Sequence, residues 1–405
     1  MKAARGFPIA VITDKNAATV TSGHPWIYED EIISIDSTGN GSLVDVTNQK
    51  GAYLGTGLLS LNSKIRIRII SRNANDRFDE AFFERRIRWA VEYRKTVLSG
   101  DIHACRLIFG EADWMPGVTV DKYGDILVTQ ILSYGMEQRK DMIYSLLINV
   151  LAENGEHISG IFERNELQLR KLEGLDEYKG WYGSSHPEKT STQIRENSII
   201  YNVDFENGQK TGFFLDQRFN RREVAFLSKG KRVLDCCTHT GSFALNAAMG
   251  GAEKVTAMDI SNDALTTAKE NAFINGFEKK IEFVQADVFD YLPQVESLKP
   301  APYDFIILDP PAFTKSRKTA LDAVRGYTEI NSRAMKALPR GGYLATCSCS
   351  HFMEEKMFVK MLKNASEYAG VSLRLIKACA QSPDHPELMS VPETKYLKFY
   401  LLQIT

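Results

Sequence analysis

The sequence predicts an α/β fold, with a doubly wound sheet filling the C-terminal part of the chain. Three observations predict it. Short apolar runs bounded by turn residues recur at 232–236, 254–258, 281–285, 303–308 and 341–346, as expected of parallel strands buried on both faces. Helical patterns such as 243–249 alternate with these runs, which is the rhythm of strands crossing over through helices. The runs also end on turn, acidic or thiol residues: Thr238-His239-Thr240-Gly241-Ser242, Asp259, Ala286-Asp287, Asp309-Pro310-Pro311-Ala312-Phe313 and Thr346-Cys347-Ser348-Cys349-Ser350. Open α/β sheets bind ligands at the carboxyl ends of their strands, so a site is expected there.

Taken from the N-terminus, residues 1–72 read as short strands with turn signals at Gly23-His24-Pro25, Gly39-Asn40-Gly41 and Gly51, the pattern of a small β barrel. Within it Lys64-Ile65-Arg66-Ile67-Arg68-Ile69 alternates with period two, which puts the cations on one face and the isoleucines in the core. A mixed section at 73–190 opens on the amphipathic helix 82–98 and holds a hairpin pattern at 117–128, whose turn at 121–125 is flanked by alternating apolar residues. Gly183-Ser184-Ser185-His186-Pro187 reads as the linker to a third section, 191–405. That section ends in two strand-like runs, 371–378 and 396–404, joined by a loop carrying Asp384-His385-Pro386, where His385 is either a base or a loop staple. No internal repeat or low-complexity tract interrupts this order.

At 405 residues, 43% hydrophobic and 25% charged, the chain can build two to three domains with proper cores. The apolar run 7–13 is too short, and too soon followed by Asp14-Lys15, for a secretory or membrane segment, so the cytoplasm is the expected location. Cys105, Cys236, Cys237, Cys347, Cys349 and Cys379 form no C-x-x-C pair, and no histidine stands at zinc-finger spacing. A disulfide framework and a metal site are therefore not expected, and reduced thiols suit a nucleophile. A net charge of −1 excludes a wholly basic surface, yet between residues 64 and 95 ten Lys and Arg stand against five Asp and Glu, a local +5.

The strand-end set suits one cofactor. Asp259 lies eighteen residues beyond Gly241, near the spacing at which an acid accepts hydrogen bonds from ribose hydroxyls in dinucleotide folds. The amino acid moiety of S-adenosylmethionine would lie over Thr240 and Gly241, the ribose on Asp259 beside Ile260, and the adenine beside Asp287, with Asp309 closing the set. Four unrelated strand-end acids are the other reading. A thiol near the Asp-Pro-Pro turn points to base methylation: C5 of cytosine is too poor a nucleophile unaided, so a thiolate adds at C6 and C5 then attacks the sulfonium methyl. A base next removes the C5 proton and the thiol leaves. Cys347 and Cys349, two apart at a strand end, share a face and compete for this role.

Several stretches together resemble the PUA-containing family of class I ribosomal RNA methyltransferases that form 5-methylcytosine in large-subunit (23S) RNA. They are Gly23-His24-Pro25-Trp26-Ile27-Tyr28, Arg164-Asn165-Glu166, Arg170-Lys171-Leu172-Glu173-Gly174-Leu175, Gly208-Gln209-Lys210-Thr211-Gly212-Phe213-Phe214-Leu215-Asp216-Gln217-Arg218, residues 233–243 and 308–313, Arg325-Gly326-Tyr327 with Ile330-Asn331, Ser348-Cys349-Ser350 and Asp384-His385-Pro386. The resemblance implies a PUA-like RNA-binding barrel at 1–72, a middle α+β domain at 73–190 and a Rossmann-like methyltransferase sheet at 191–405 that ends in an antiparallel hairpin. It implies S-adenosylmethionine as cofactor and large-subunit ribosomal RNA as partner, with no membrane; a homodimer is left open.

Residue by residue, the resemblance places Phe213, Gln217 and Arg218 over the cofactor, although Phe213 and Phe214 also read as core aromatics. Cys349-Ser350-His351-Phe352-Met353-Glu354-Glu355 matches the Cys-Ser-x-x-x-Glu-Glu pattern of RNA cytosine-5 enzymes, which makes Cys349 the nucleophile and Cys347 a small core residue. Many relatives carry a second cysteine after the Asp-x-Pro turn where this chain has Ala312-Phe313, so release needs another base. Arg66 and Arg68 would track RNA phosphates or line a solvated edge. Arg325 and Tyr327 would sit in a loop closing on RNA, Arg325 as a contact or a surface ion pair and Tyr327 as a stacker, beside the basic Lys315, Arg317 and Lys318. Two alternatives stay open. Asp309, Pro310 and Phe313 also fit the turn of amino-group methyltransferases, which hold an exocyclic NH₂ and stack an aromatic on the flipped base; or the chain is a catalytically silent RNA-binding protein.

Overall fold

The computed structural model describes residues 6–314 and 320–405, so Lys315, Arg317 and Lys318 lie outside the described residues. The chain divides into two compact units: one of Met1–Ile194, Val203–Leu215 and Pro383–Thr394, the other of Arg195–Asn202, Asp216–Ser382 and Lys395–Thr405.

In the first unit, β1 (Ile9–Ile12), β2 (Trp26–Tyr28), β3 (Ile32–Ile35), β4 (Leu43–Thr47), β5 (Tyr53–Leu59) and β6 (Ile65–Ser71) form a sheet of order β2-β6-β5-β4-β1-β3. Helix α1 (Asp14–Thr21) starts where the Thr13 side chain accepts the Asn16 amide. Ile12, Ile27, Val44, Val46, Ile67 and Ile69 bury together as the core. Gly57 permits the closeness of β5 and β6, since a Cβ there would lie 2.6 Å from the Arg68 carbonyl oxygen.

The alternation in β6 holds for the isoleucines, but the cations do not form an open face. Arg68 is buried, its Nη2 2.7 Å from Glu173 Oε1 and its Nη1 donating to the Ile65 carbonyl. Arg66 pairs with Glu29 and donates to the Ser60 and Leu61 carbonyls. A buried guanidinium requires a carboxylate, and Glu173 supplies it from a distant part of the chain where period-two patterning gives no sign of it.

The same unit holds β7 (Ala104–Phe109), β8 (Val118–Tyr123), β9 (Ile126–Ile131), β10 (Gly160–Asn165) and β11 (Tyr178–Trp181), in the order β11-β10-β9-β8-β7. Gly124, at φ +63°, makes the tight turn between β8 and β9. Helix α2 (Glu80–Val97), capped by Asp79, turns Phe83, Ile87, Ala90 and Val91 inward and packs on β7 and on α4 (Lys140–Glu153), which follows the single turn α3 (Tyr134–Glu137). Segment Pro383–Thr394 joins this unit because Asp384 accepts the Arg106 amide at 3.0 Å and its carbonyl accepts Arg94 Nη2 at 2.9 Å. His385 is buried, 3.1 Å from Asp384 and against the Phe109 ring, which is the staple reading. The chain passes from one unit to the other within the hairpin β12 (Ser191–Glu196) and β13 (Ile199–Asp204).

The second unit is the doubly wound sheet. Strands β14 (Arg232–Cys236), β15 (Lys254–Asp259), β16 (Ile281–Gln285), β17 (Phe305–Leu308), β18 (Tyr343–Ser348), β19 (Leu373–Cys379) and β20 (Lys398–Ile404) run in the order β16-β15-β14-β17-β18-β20-β19. The first five are parallel; β20 is antiparallel to both β18 and β19. The connecting helices are α5 (Arg218–Leu227), α6 (Ser242–Met249), α7 (Asn262–Ile274), α8 (Val288–Ser297), α9 (Ala320–Ala337) and α10 (Glu355–Ala369). Leu234, Ile306, Leu308 and Leu344 from the sheet bury against Ile330 and Met335 of α9 and Phe358 and Met361 of α10.

Arg325, Gly326 and Tyr327 lie within α9 and not in a loop. Ala323, Tyr327, Ile330 and Ala334 recur at helical spacing and are all buried, so this stretch has a core-facing stripe. No helix among the described residues is long and apolar enough to cross a membrane.

Candidate active site

Register builds the site. Cys236 pairs with Met258 on one side and Leu308 on the other, Leu308 pairs with Thr346, and Asp259 pairs with Gln285. The carboxyl ends of five strands are therefore level, and strand order reverses between β14 and β17, the switch point at which such sheets open a crevice.

After β14 the backbone turns through the left-handed region at Cys237 (φ +61°), His239 (φ +51°) and Gly241 (φ +82°) before α6 begins. Gly241 is required twice over, by its φ and because a Cβ would sit 3.1 Å from Ala268 Cβ. Asp235 pins the turn. Wholly buried, it accepts Thr238 Oγ1 at 2.5 Å and the Ala244 amide at 2.9 Å on Oδ2, while Oδ1 has no partner among the described residues. Burial pushes its carboxyl up to about 7, against the two donors. The Thr240 hydroxyl is also buried without a partner among the described residues, the kind of orphan that a bound polar ligand satisfies.

Asp259 ends β15, with Oδ2 on the His239 amide at 2.8 Å and Oδ1 on the Ser261 amide at 3.0 Å. A carboxylate offers about four acceptor sites, so it can bridge these two turns and still receive ribose hydroxyls. Its neighbour Ile260 is 65% exposed, an apolar platform at the strand edge. Asp287 caps α8 by accepting the Phe289 amide at 2.8 Å.

Asp309 follows β17 and receives Gln217 Nε2 at 3.3 and 3.2 Å on its two oxygens, while Gln217 Oε1 accepts Asn220 Nδ2 at 2.6 Å. Cys347 joins this group by hydrogen bonds with Gln217 and Asp309, and burial, reinforced by the Asp309 charge, holds its thiol well above the ordinary range. It is a buried core residue at the strand end. Cys349 lies one residue beyond the end of β18, where strict strand alternation has stopped, and it is half-buried. Both of its neighbours are tied down: Ser348 Oγ to Tyr327 Oη at 3.1 Å, and Ser350 Oγ to the Thr314 carbonyl at 3.0 Å.

Phe313 is half-buried, its ring 4.6 Å from Tyr327 and 5.9 Å from Phe289; Pro310 is buried and Pro311 exposed. Tyr327 has no exposed face, so it props Phe313 and Ser348 and does not stack on RNA; burial raises its hydroxyl far above the ordinary range. Arg325 is 85% exposed, with Asp322 at 3.5 Å. Phe213 belongs to the first unit, buried, its amide donating to Tyr123 Oη at 3.2 Å. Arg218, at the start of α5, is buried 3.7 Å from Glu196.

Sequence reasoning missed two residues of this site, Asp235 and Lys398, and gave Tyr327 a different role. Asp235 and Tyr327 act through bonds made only on folding. Lys398 left a signal, a lone cation in the otherwise apolar run 396–404.

A model of the S-adenosylmethionine-dependent methyltransferases matches residues 166–400, more than half of the chain. The chain belongs to that family. A PUA-like domain model matches residues 11–72. The chain is 35% identical over 401 residues to the ribosomal RNA large subunit methyltransferase I of Klebsiella pneumoniae, covering 98% of each. It is 38% identical over 384 residues to the protein of that name from Pseudoalteromonas translucida, covering 94% of this chain and 95% of the relative. Among solved structures, a SAM-dependent methyltransferase from Streptococcus mutans superposes with a TM-score of 0.80 at 23% identity, over 98% of this chain and 99% of that one. A methyltransferase solved in complex with SAH does so at 0.82 and 22%, over the same shares. The cofactor of this methyltransferase is S-adenosylmethionine, and the orphan Thr240 hydroxyl, the Gly241 turn and the exposed Ile260 suit it.

Proposed function

We propose that this methyltransferase acts on large-subunit ribosomal RNA in the cytoplasm and methylates C5 of a cytosine, with Cys349 as the nucleophile. The observation that carries the proposal is the partly exposed Cys349 at the carboxyl edge of β18, fixed through both neighbouring serines and one strand from Asp309. The rRNA substrate is that of the named relatives. Thr240, Gly241, Asp259, Ile260, Asp287 and Gln217 would hold S-adenosylmethionine, which would supply an electrophilic methyl group.

Cys349 then adds as a thiolate to C6 of a flipped cytosine, raising electron density at C5. Asp309, oriented by Gln217, accepts from the exocyclic amino group, and Pro310 and Phe313 form the wall beside the ring. Loss of the C5 proton to a base and departure of Cys349 complete the exchange. Arg325 contacts RNA backbone from the exposed start of α9; Arg66 and Arg68, both engaged by partners within the first unit, are withdrawn from that role.

With 5-fluorocytidine in the RNA, C5 carries no removable proton, so the wild-type protein should stall as a covalent adduct while Cys349→Ser forms none and transfers no methyl. Cys347→Ser should keep most activity. Full methyl transfer by Cys349→Ser, with no adduct in the wild type, would move the reaction to an exocyclic amino group at the Asp309-Pro310-Pro311 turn.

A further inference from the structure

Lys398 opens β20, and its main chain lies opposite Ser348 in the antiparallel pairing with β18. A lysine at that place should face water, yet its side chain is buried. Its ammonium donates to the Ser350 carbonyl at 2.6 Å and to the Tyr396 carbonyl at 2.7 Å. No carboxylate is among these two acceptors. Its ammonium is thus bonded to the residue immediately after Cys349, in a low-dielectric setting where charge acts over a longer reach.

We propose that Lys398 is a positioning residue that holds Cys349 in its thiolate form, by clamping the Ser350 carbonyl and setting a positive charge beside the sulfur. The proposal rests on the nucleophilic role given to Cys349 above. Among the described residues, the other ionisable groups beside that thiol oppose a thiolate, keep their protons or are compensated. Asp309 at the end of β17 opposes a thiolate, while the Cys347 thiol and Tyr327 on α9 are neutral because burial holds their protons. Glu355 on α10 receives Lys395 at 3.1 Å and Tyr400 Oη at 3.0 Å, so its charge is largely compensated. Among the described residues, Lys398 is a buried cation placed to offset Asp309.

Burial lowers the Lys398 ammonium to about 8, and the charge of Cys349 works in the opposite direction. Near neutrality the lysine is therefore charged and supports a thiolate, while above about pH 8 it loses its charge and that support ends. An ordinary thiol titrates at about 8.5, and an adjacent opposite charge moves an ionisable group by about 1 to 3 units.

The test is the pH profile of iodoacetamide labelling at Cys349, read by peptide mass spectrometry on the full-length protein without RNA. The wild-type midpoint should lie at least about 1 unit below that of an ordinary thiol. Lys398→Gln, which keeps a donor for the carbonyls without the charge, should raise the midpoint by about 1 unit or more, and Lys398→Arg should restore most of the shift. A wild-type midpoint at or above about 8.5 overturns the proposal even if no variant folds. So does a Lys398→Gln midpoint equal to wild type alongside lost methyl transfer, which would make the lysine purely structural. The labelling profile does not depend on what Cys349 does to RNA. Failure of the cytosine-5 reading would show separately, as the missing 5-fluorocytidine adduct.

Discussion

At the scale of single residues, the unusual group is Asp235, a carboxyl buried in the middle of a sheet with one oxygen doubly bonded and the other unpartnered among the described residues. Its folded pKa, about 7, is raised above the unfolded value of 3.8, so the native state holds the proton more tightly. The sign follows: this contribution is fully present below pH 3.8 and is lost as pH rises through 7, by up to about 4 kcal/mol. Asp235→Asn keeps an acceptor for Thr238 and Ala244 and cannot ionise. Its urea-unfolding stability should therefore fall less between about pH 4 and pH 7 than that of the wild type. Identical pH slopes in the two proteins would mean that Asp235 stays ionised throughout. Asp259, Asp309 and Cys349 were legible in the sequence because each stands at a strand end in a short local pattern. Lys398, Tyr327 and Gln217 acquire their partners from other segments, and no local pattern carries that information.

At the scale of elements, periodicity located β6 and the helical stripe of α2, and it failed where a long-range partner overrides the local rule. In β6 the arginines alternate with isoleucines as a solvated face would, yet Arg68 reaches the buried Glu173, which also accepts the Tyr134 amide at 3.3 Å. The two arginines should thus behave differently. Arg68→Ala leaves a carboxylate buried with only weaker donors and should cost about 3 kcal/mol of stability. Arg66→Ala removes a pair whose partner Glu29 is mostly exposed and should cost under about 1 kcal/mol. Denaturant midpoints of the two variants check this, and equal midpoints would return Arg68 to the solvent. In α9 the failure is of another kind: Pro310 and Pro311 signalled a loop, and the stripe from Ala323 to Ala334 that makes the helix was hidden by a charged Arg325 and a Gly326 within it.

At the scale of the whole molecule, the alternation of strand and helix from Arg232 onward was readable because the inner strands β14, β17 and β18 are buried on both faces. The division into units was not, because Pro383–Thr394 returns to the first unit through Asp384, Arg94 and Arg106, bonds with large sequence separation. The cofactor site belongs to this scale too. No single element forms it; five strand ends must be level and the strand order must reverse between β14 and β17. A ligand that binds there binds only the assembled sheet, so it stabilises the fold by mass action, about 2.7 kcal/mol at a concentration a hundredfold above its Kd. S-adenosylhomocysteine should therefore raise the melting temperature of the second unit, and for a unit of that size about 5 to 10 °C is expected. Asp259→Ala loses the ribose acceptor, weakening binding about tenfold and removing about 1.4 kcal/mol of that stabilisation at the same ligand concentration. The variant also loses its bonds to the His239 and Ser261 amides, so its ligand-free melting temperature falls, and only the ligand-induced increment reports on the cofactor. A full increment in Asp259→Ala, with unchanged affinity by calorimetry, would take the ribose away from the end of β15 and leave Asp259 as a clasp between two turns.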